Sequence, residues 1–182
     1  MDPSDQRRAL LLLDFQDDFL ASDGRMPVAR DQVEPVLVAT RAAIAQAQAR
    51  GDLIIQIGNA FRPRDVVGNL MRRGAAVSGS PGTRWDPRFA APGAVCVAKW
   101  KSDAFCNPAL KKLLREHRIQ DVIVAGLYAR ACVAATPKLR WPTDFKSMFS
   151  GTPSPAAATL RERLPLGAFA DAAPRSFAAA YP

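Results

Sequence analysis

Four short stretches of the chain are almost continuously apolar and are bounded by polar residues. They cover residues 9–15 (ALLLLDF), 53–58 (LIIQIG), 94–100 (AVCVAKW) and 121–127 (DVIVAGL). Strands buried on both faces of a parallel sheet have this character, whereas half-exposed strands alternate between apolar and polar residues. The pattern therefore predicts four buried, parallel strands.

Helical periodicity separates these stretches. Residues 32–50 place a mostly apolar face at Val33, Val36, Leu37, Thr40, Ala43, Ile44 and Ala47. Gly51 follows as the residue that ends this helix. A second helix opens at Asn107-Pro108, because proline suits the first helical position, and runs to His117. We also expect a short helix at residues 66–73 and another that begins around Ala129 and carries Cys132.

Strands that alternate with helices predict right-handed crossovers and a parallel sheet with helices on both faces. The expected fold class is therefore α/β, a three-layer αβα Rossmann-like sheet. A chain of 182 residues suits one such domain, which we expect to span residues 1–182. Reactive groups in such sheets collect beyond the carboxyl ends of the strands. Asp14, Lys99 and the loop before Cys132 all lie at such ends.

Composition narrows the function classes. No apolar run approaches the roughly 20 residues of a membrane helix, and Asp14 interrupts the N-terminal run too early for a signal peptide. We expect a cytoplasmic protein with no membrane partner. The net charge is +8, but the basic residues are scattered and no binding motif accompanies them, so we expect no nucleic-acid partner. Three cysteines without a CxxC pair predict neither a disulfide framework nor a zinc site.

The residue types at the strand ends suit nucleophilic catalysis. A thiolate is a strong nucleophile, but an ordinary cysteine has a pKa of about 8.5 and needs activation. A helix N-terminus and a lysine favour the thiolate, an aspartate takes the thiol proton, and backbone N–H groups hold an oxyanion. Cys132, Lys99 and Asp14 supply these side chains. Each has an alternative role: Asp14 as a helix N-cap, Lys99 as a solvated strand end, and Cys132 as a small buried side chain.

Three motifs resemble those of the isochorismatase-like superfamily of cysteine hydrolases. The run DFQDDF at residues 14–19 is similar to the family's D-x-Q-x-D-F. The run KWKSDAF at 99–105 is similar to K-x-x-x-S-A-F, with Asp103 where serine is usual. The run AGLYARACVAAT at 125–136 is similar to G-x-x-T-x-x-C-V-x-A-T, with Ala129 where threonine is common. The resemblance covers roughly residues 8–136.

The resemblance implies Asp14 as general base, Cys132 as nucleophile, and Lys99 as the group that stabilises the thiolate and the charged intermediates. It also implies a cis peptide at Leu127–Tyr128, beside an oxyanion hole formed by backbone N–H groups near Tyr128 and Cys132. The implied reaction is hydrolysis of a C–N bond in a small amide, ureide or carbamoyl compound through a covalent acyl-enzyme intermediate. Members that cleave isochorismate lack the cysteine.

An alternative of a different class is a catalytically impaired member that acts as a binding or oligomer-partner protein. Asp103, Ala129 and the unusual C-terminal quarter favour that alternative. In either case we expect a homo-oligomer.

The expected small-molecule pocket is apolar. We expect Phe19, Phe61, Trp100 and Tyr128 to line it, with Arg62 or Arg64 available for an anionic group. We expect no metal and no cofactor. The region GNAFRPRD at residues 58–65 lacks the histidines that hold a metal in some family members. Three further residues are assigned to packing or capping rather than to chemistry: Cys96 in the core, Cys106 beside the site, and His117 at a helix end.

The last 46 residues break with this pattern. They hold seven of the 15 prolines, and Pro137 and Pro142 interrupt the helix expected to continue from Cys132, where an interior proline costs about 3 kcal/mol. One interpretation is a shifted reading frame. With codons that end mostly in G or C, moving back by one nucleotide after Thr136 permits AEAALADGLQVNVLGDAVA, a helix, a glycine turn and an apolar strand. The other interpretation is a diverged C-terminus with a strand at residues 145–149 and a short helix at 156–163.

Overall fold

The structure, a computed structural model, describes residues 7–127 and the backbone of one later strand. The strands are β1 (Arg8–Leu13), β2 (Leu53–Asn59), β3 (Val95–Lys99), β4 (Asp121–Gly126) and β5 (Ala158–Arg163). The α-helices are α1 (Asp17–Leu20), α2 (Arg30–Arg50), α3 (Val66–Met71) and α4 (Pro108–Glu116). Single 3₁₀ turns lie at Pro81–Thr83, Pro87–Phe89 and Ala104–Cys106. The four predicted strands are all present.

The strands form one sheet in the order β3-β2-β1-β4-β5. The first four are parallel, as predicted. The fifth, β5, runs antiparallel to β4, from the pair Asp121–Arg163 to the pair Gly126–Ala158. The short helix expected at residues 156–163 is therefore wrong. A strand edge offers a row of unpaired N–H and C=O groups, and pairing with it outweighs the helical preference of an Ala-, Leu- and Arg-rich segment.

Alternate residues of β1 face opposite layers, because side chains along a strand point to the two faces in turn. Leu11 and Leu13 pack in a cluster with Leu110 and Leu114 of α4. Leu10 and Leu12 belong to the opposite cluster, which contains Val36, Leu37, Ile44 and Ala47 of α2. Helices thus cover both faces, which confirms the three-layer α/β architecture.

The helix ends follow the predicted signals. Gly51 adopts a left-handed φ of 69°, and its N–H bonds to the carbonyls of Ala47 and Gln48 at the end of α2. The Asn107 side chain accepts a hydrogen bond from the N–H of Ala109, so that Pro108 occupies the first position of α4. The short helix expected at residues 66–73 is also present, although α3 ends earlier, at Met71.

The strand β3 is less buried than its sequence predicts. It lies at the edge of the sheet, with β2 as its only neighbour among the described strands. Cys96 is exposed there, so its assignment to the core is wrong. An apolar run indicates that a strand tends to be buried. The position of the strand in the sheet decides whether other elements cover it. Cys106 is half-buried, and its packing role stays a prediction. Within residues 7–127, no helix combines the length and the apolar character that crossing a membrane requires.

Candidate active site

Three neighbouring parallel strands deliver polar side chains to the same edge of the sheet. Asp14 follows β1, Asn59 ends β2 and Lys99 ends β3. The Lys99 Nζ atom lies 3.0 Å from Oδ1 of Asp14, and both side chains are completely buried. The structure therefore brings together two of the three predicted catalytic side chains.

The alternative roles of these two residues are both wrong. The N-cap position of α1 is Gln16, two residues beyond Asp14, and it makes no side-chain capping bond. Lys99 is enclosed rather than solvated, with 0% of its side chain exposed. Burying two charges costs several kcal/mol for each ion before their attraction offsets it. A buried charged pair of this kind where parallel strands end is a feature of functional sites.

The two carboxylate oxygens of Asp14 have different surroundings. Oδ1 interacts with the Lys99 ammonium and accepts a second hydrogen bond from the side-chain amide of Asn59, at 2.8 Å. Oδ2 is buried and has no hydrogen-bond partner among the described residues. One oxygen is thus anchored, while the other keeps its lone pairs available for a proton.

Asp14 also has an unusual backbone. Its φ is 68°, in the left-handed region that costs a non-glycine residue about 1–2 kcal/mol and that aspartate tolerates better than most. The conformation is held by hydrogen bonds from Asp14 N to the carbonyl of Ile57 (3.0 Å) and from Gln16 N to the carbonyl of Asp14 (2.8 Å). Strained residues of this kind are concentrated at functional sites.

Gln16, the glutamine of the D-x-Q-x-D-F motif, and Asn59 belong to the site, but neither was predicted from the sequence as a site residue. The Gln16 side chain accepts from the backbone N–H of Asn59 (2.7 Å) and donates to the carbonyls of Asn59 (2.9 Å) and Thr83 (2.7 Å). The Asn59 side chain contacts both members of the charged pair. The available signal for Asn59 was a polar residue at the carboxyl end of β2, between the strands that carry Asp14 and Lys99.

A second motif carboxylate, Asp18, has a structural role. Its Oδ2 accepts a hydrogen bond from the backbone N–H of Ala76 at 2.7 Å, and its Oδ1 accepts from that of Arg25 at 3.2 Å. Gly82 lies so close to this carboxylate that a Cβ there would overlap it. Asp18 therefore ties the loop that follows α3 to α1.

The aromatic residues expected to line a pocket are unequally placed. Phe19 and Phe61 are buried in the cluster on the α2 side of the sheet. Trp100, which follows Lys99, is partly exposed, and the guanidinium of Arg62 lies 5.2 Å from the centre of its ring. Their contact with a substrate stays a prediction. Of Phe19, Phe61 and Trp100, Trp100 is the most accessible from solvent.

The remaining predicted site residues adjoin or lie outside the described part of the chain. Leu127 is completely buried at the carboxyl end of β4. Tyr128, Cys132 and the predicted cis peptide at Leu127–Tyr128 lie outside the described residues. Of the two departures from the family motifs, Ala129 also lies outside them. The other, Asp103, caps the 3₁₀ turn Ala104–Cys106 by accepting from the N–H of Phe105 at 2.9 Å.

The donor set beside Asp14 does not suit a transition metal. The residues around it offer one carboxylate, an asparagine amide and a lysine that already pairs with the carboxylate. Within the described ranges, no three His, Cys, Asp or Glu side chains converge as metal ligands would. The single histidine of the whole sequence, His117, lies at the end of α4. Transition-metal sites in proteins are built mainly from histidine and cysteine ligands.

A four-stranded parallel sheet with helices on both faces and an Asp–Lys pair at its carboxyl edge defines an isochorismatase-like α/β protein. The chain belongs to the isochorismatase family, whose domain model matches residues 8–137. The family and the hydrolase class expected from the motifs are thereby confirmed.

Two relatives show the extent of the match. Ureidoacrylate amidohydrolase RutB of Enterobacter sp. (strain 638) is 26% identical over an alignment of 155 residues, which covers 72% of this chain and 67% of that protein. Streptothricin hydrolase of Streptomyces noursei is 28% identical over 134 residues, covering 72% of this chain and 47% of that protein. The chain thus spans about half to two thirds of the length of these relatives.

Solved structures show the same fold. N-carbamoylsarcosine amidase from Thermoplasma acidophilum superimposes with a TM-score of 0.63 at 21% identity, covering 72% of this chain and 73% of that chain. Nicotinamidase PncA from Bacillus subtilis gives a TM-score of 0.63 at 19% identity, covering 72% of this chain and 76% of that chain. At these identities the likeness establishes the architecture alone.

Proposed function

We propose that the chain is a cysteine-dependent hydrolase that cleaves a C–N bond in a small amide, ureide or carbamoyl compound through a covalent acyl-enzyme intermediate. The observation that carries the proposal is the buried Asp14–Lys99 pair, with one carboxylate oxygen anchored and the other without a partner among the described residues. The names of the relatives support the substrate class, since they include an amidohydrolase for ureidoacrylate, an amidase for N-carbamoylsarcosine and a nicotinamidase.

The strand order supports Cys132 as the third member. β4 lies beside β1 on the side opposite β2, so the chain leaves β4 next to Asp14. Cys132 is five residues beyond Leu127, and five residues span at most about 18 Å. This reach is compatible with a thiol beside Asp14 and supports the proposal that Cys132 acts there. The proposed oxyanion hole consists of backbone N–H groups near Tyr128 and Cys132, beside the proposed cis peptide at Leu127–Tyr128.

In the proposed reaction, the Cys132 thiol transfers its proton to Oδ2 of Asp14, and the sulfur attacks the substrate carbonyl carbon. Lys99 stabilises the thiolate and the negative charge that develops on the intermediate. The C–N bond breaks, the leaving nitrogen takes the proton from Asp14, and a thioester remains on Cys132. Asp14 then removes a proton from water, and the water oxygen attacks the thioester carbon. The C–S bond breaks, the leaving sulfur takes the proton back from Asp14, and the acid and the free Cys132 thiol are released.

The proposed substrate pocket lies at the same edge. Trp100 and Tyr128 border it, Phe19 and Phe61 support it from the core, and Arg62 beside Trp100 offers a positive charge for an anionic substituent. A cytoplasmic location and a homo-oligomeric state stay predictions.

A screen of small amides, ureides and carbamoyl compounds tests the proposal. Turnover is expected in the wild type, to be absent in Cys132→Ala, and to be reduced by a factor on the order of 100 to 10,000 in Asp14→Asn, as is usual for loss of a positioned base. Cys96→Ala is the matched control, because Cys96 is exposed on an edge strand away from the pair. Near-full activity in Cys132→Ala would refute the mechanism.

Thiol reactivity separates the hydrolase from the alternative of a catalytically impaired binding protein. An activated Cys132 should react with iodoacetamide at neutral pH much faster than Cys96 or Cys106, because thiolate is the reactive form. Alkylation sites are read by peptide mass spectrometry. If Cys132 reacts no faster than Cys96 and no substrate is turned over, the binding-protein alternative is favoured.

A further inference from the structure

We infer, on the basis of the proposed function, that Asn59 is a positioning residue that aligns Asp14 with Lys99 and directs Oδ2 of Asp14 toward the proton it receives. Its Nδ2 donates to Oδ1 of Asp14 at 2.8 Å, and its Oδ1 accepts from Nζ of Lys99 at 2.8 Å. Together with the 3.0 Å contact between the two charges, these hydrogen bonds connect each of the three side chains to the other two. Asn59 is 2% exposed.

The sheet topology explains why a bridging residue is needed. β2 lies between β1 and β3, and neighbouring strands are about 4.8 Å apart, so the strands that carry Asp14 and Lys99 are roughly 10 Å apart. The long lysine side chain must cross over the end of β2 to reach the carboxylate. Asn59 is the register partner of Lys99 and occupies that crossing point.

The chemistry of asparagine fits this position. Its planar amide offers donors on nitrogen and an acceptor on oxygen, so it satisfies a carboxylate and an ammonium at the same time. Aspartate has the same size and shape but, when ionised, can only accept.

Gln16 fixes the backbone from which the Asn59 side chain extends. It bonds to the backbone N–H and to the carbonyl of Asn59, and it is itself anchored to the carbonyl of Thr83. The consequence falls on Asp14. With Oδ1 held by both Asn59 and Lys99, the carboxylate has one orientation, and Oδ2 is the oxygen left to exchange protons.

The isosteric substitution Asn59→Asp tests the inference. It keeps the volume and the acceptor for Lys99 but places a second carboxylate against Asp14. We expect kcat for hydrolysis to fall by a factor on the order of 100, as a displacement of about 1 Å at a reacting group typically does. KM should be nearly unchanged, because the lost interaction acts on the chemical step rather than on ground-state binding. Asn59→Ala, which removes the bridge without adding charge, should lower kcat by a smaller factor.

Asn107→Asp is the matched control. Asn107 is 5% exposed and also uses both ends of its amide, donating to the carbonyl of Ala98 and accepting from the N–H of Ala109. It makes no contact with the charged pair. The control should lose stability and retain kcat. Wild-type kcat in Asn59→Asp, or an equal fall in both variants, would overturn the positioning role.

A crystal structure of Asn59→Asp makes the inference independent of turnover. We expect Oδ1 of Asp14 to move out of hydrogen-bond distance of residue 59. If the wild type hydrolyses no amide, the proposed function fails and this structure still decides the positioning role. An Asp14 carboxylate that keeps its wild-type position and its 3.0 Å contact with Lys99 would overturn it.

Discussion

The ammonium of Lys99 lies 3.0 Å from the carboxylate of Asp14, although the strands that carry these residues are separated by a third strand. Neither side chain reaches solvent. A buried charge without a partner of opposite sign costs several kcal/mol. Each of the two charges can therefore remain in the core only because the other is present. The pair is therefore better explained by chemistry than by stability.

The first prediction separates the contribution of the Asp14–Lys99 pair to stability from its contribution to catalysis. Lys99→Met leaves the Asp14 charge buried and should lower the free energy of unfolding by about 3–5 kcal/mol. The double variant Asp14→Asn, Lys99→Met removes both charges, and asparagine tolerates the left-handed φ of position 14. It should recover most of the loss while remaining inactive. Urea unfolding followed by circular dichroism measures the free energy of unfolding of both variants. A double variant no more stable than Lys99→Met alone would contradict this explanation.

The second prediction concerns the α3 helix and pH. The Arg72 side chain donates to Asp65 at 2.7 Å, and together with the Gly68 N–H it holds the pKa of that carboxyl below its usual range. A lowered pKa contributes stability above the unfolded-state pKa, and the contribution is lost as pH falls through the folded-state value. Asp65→Asn should therefore melt below the wild type at pH 7, and the difference should vanish in acid.

Thermal melts of the wild type and of Asp65→Asn between pH 7 and pH 2 measure this difference. Asp23→Asn is the control, because Asp23 makes no ion pair within the described residues. A difference between wild type and Asp65→Asn that persists undiminished at pH 2 would show that the ion pair with Arg72 is not its source.

The third prediction concerns metals. Activity should survive prolonged treatment with EDTA followed by removal of the chelate, because the chain holds a single histidine, at the end of α4, and cannot build a histidine cluster beside Asp14. Turnover before and after treatment, with added Zn²⁺ and Mn²⁺ in parallel, is the measurement. Loss of activity that only a metal restores would refute it.

The fourth prediction concerns residues 137–182. The family model stops matching at residue 137, where the prolines begin to interrupt the expected helix. We predict that the coding DNA, read one nucleotide back after Thr136, stays open and encodes a sequence close to AEAALADGLQVNVLGDAVA. Two letters are independent of codon choice: Trp141 followed by Pro142 forces alanine, and Met148 followed by Phe149 forces valine.

Sequencing the gene decides the matter, and a stop codon in that frame would end the proposal. A chain expressed in the restored frame should melt at a higher temperature than the present one. The reason is that an added amphipathic helix and apolar strand bury surface worth roughly 25 cal/mol per Å².

Local sequence signals were sufficient for most of the described fold. Apolar runs located β1 to β4, and Gly51 and Asn107-Pro108 located the ends of α2 and α4, because strand burial and helix caps depend on a few adjacent residues. The same signals failed for β5. Its antiparallel pairing depends on the free edge of β4, more than 30 residues away in sequence. The prediction that Cys96 lies in the core was wrong for a similar reason, since the exposure of Cys96 depends on the place of β3 in the sheet.

The sequence by itself determined that Asp14 and Lys99 stand at strand ends on one edge of a parallel sheet, because the alternation of strands and helices leaves little choice of topology. Only the tertiary structure decided that the two charges meet in the core, that Asn59 joins them and that Oδ1 and Oδ2 of Asp14 differ. These facts depend on the strand order β3-β2-β1 and on side-chain directions at three separate strand ends. Pairing between distant segments sets those directions, and no short stretch of sequence encodes it.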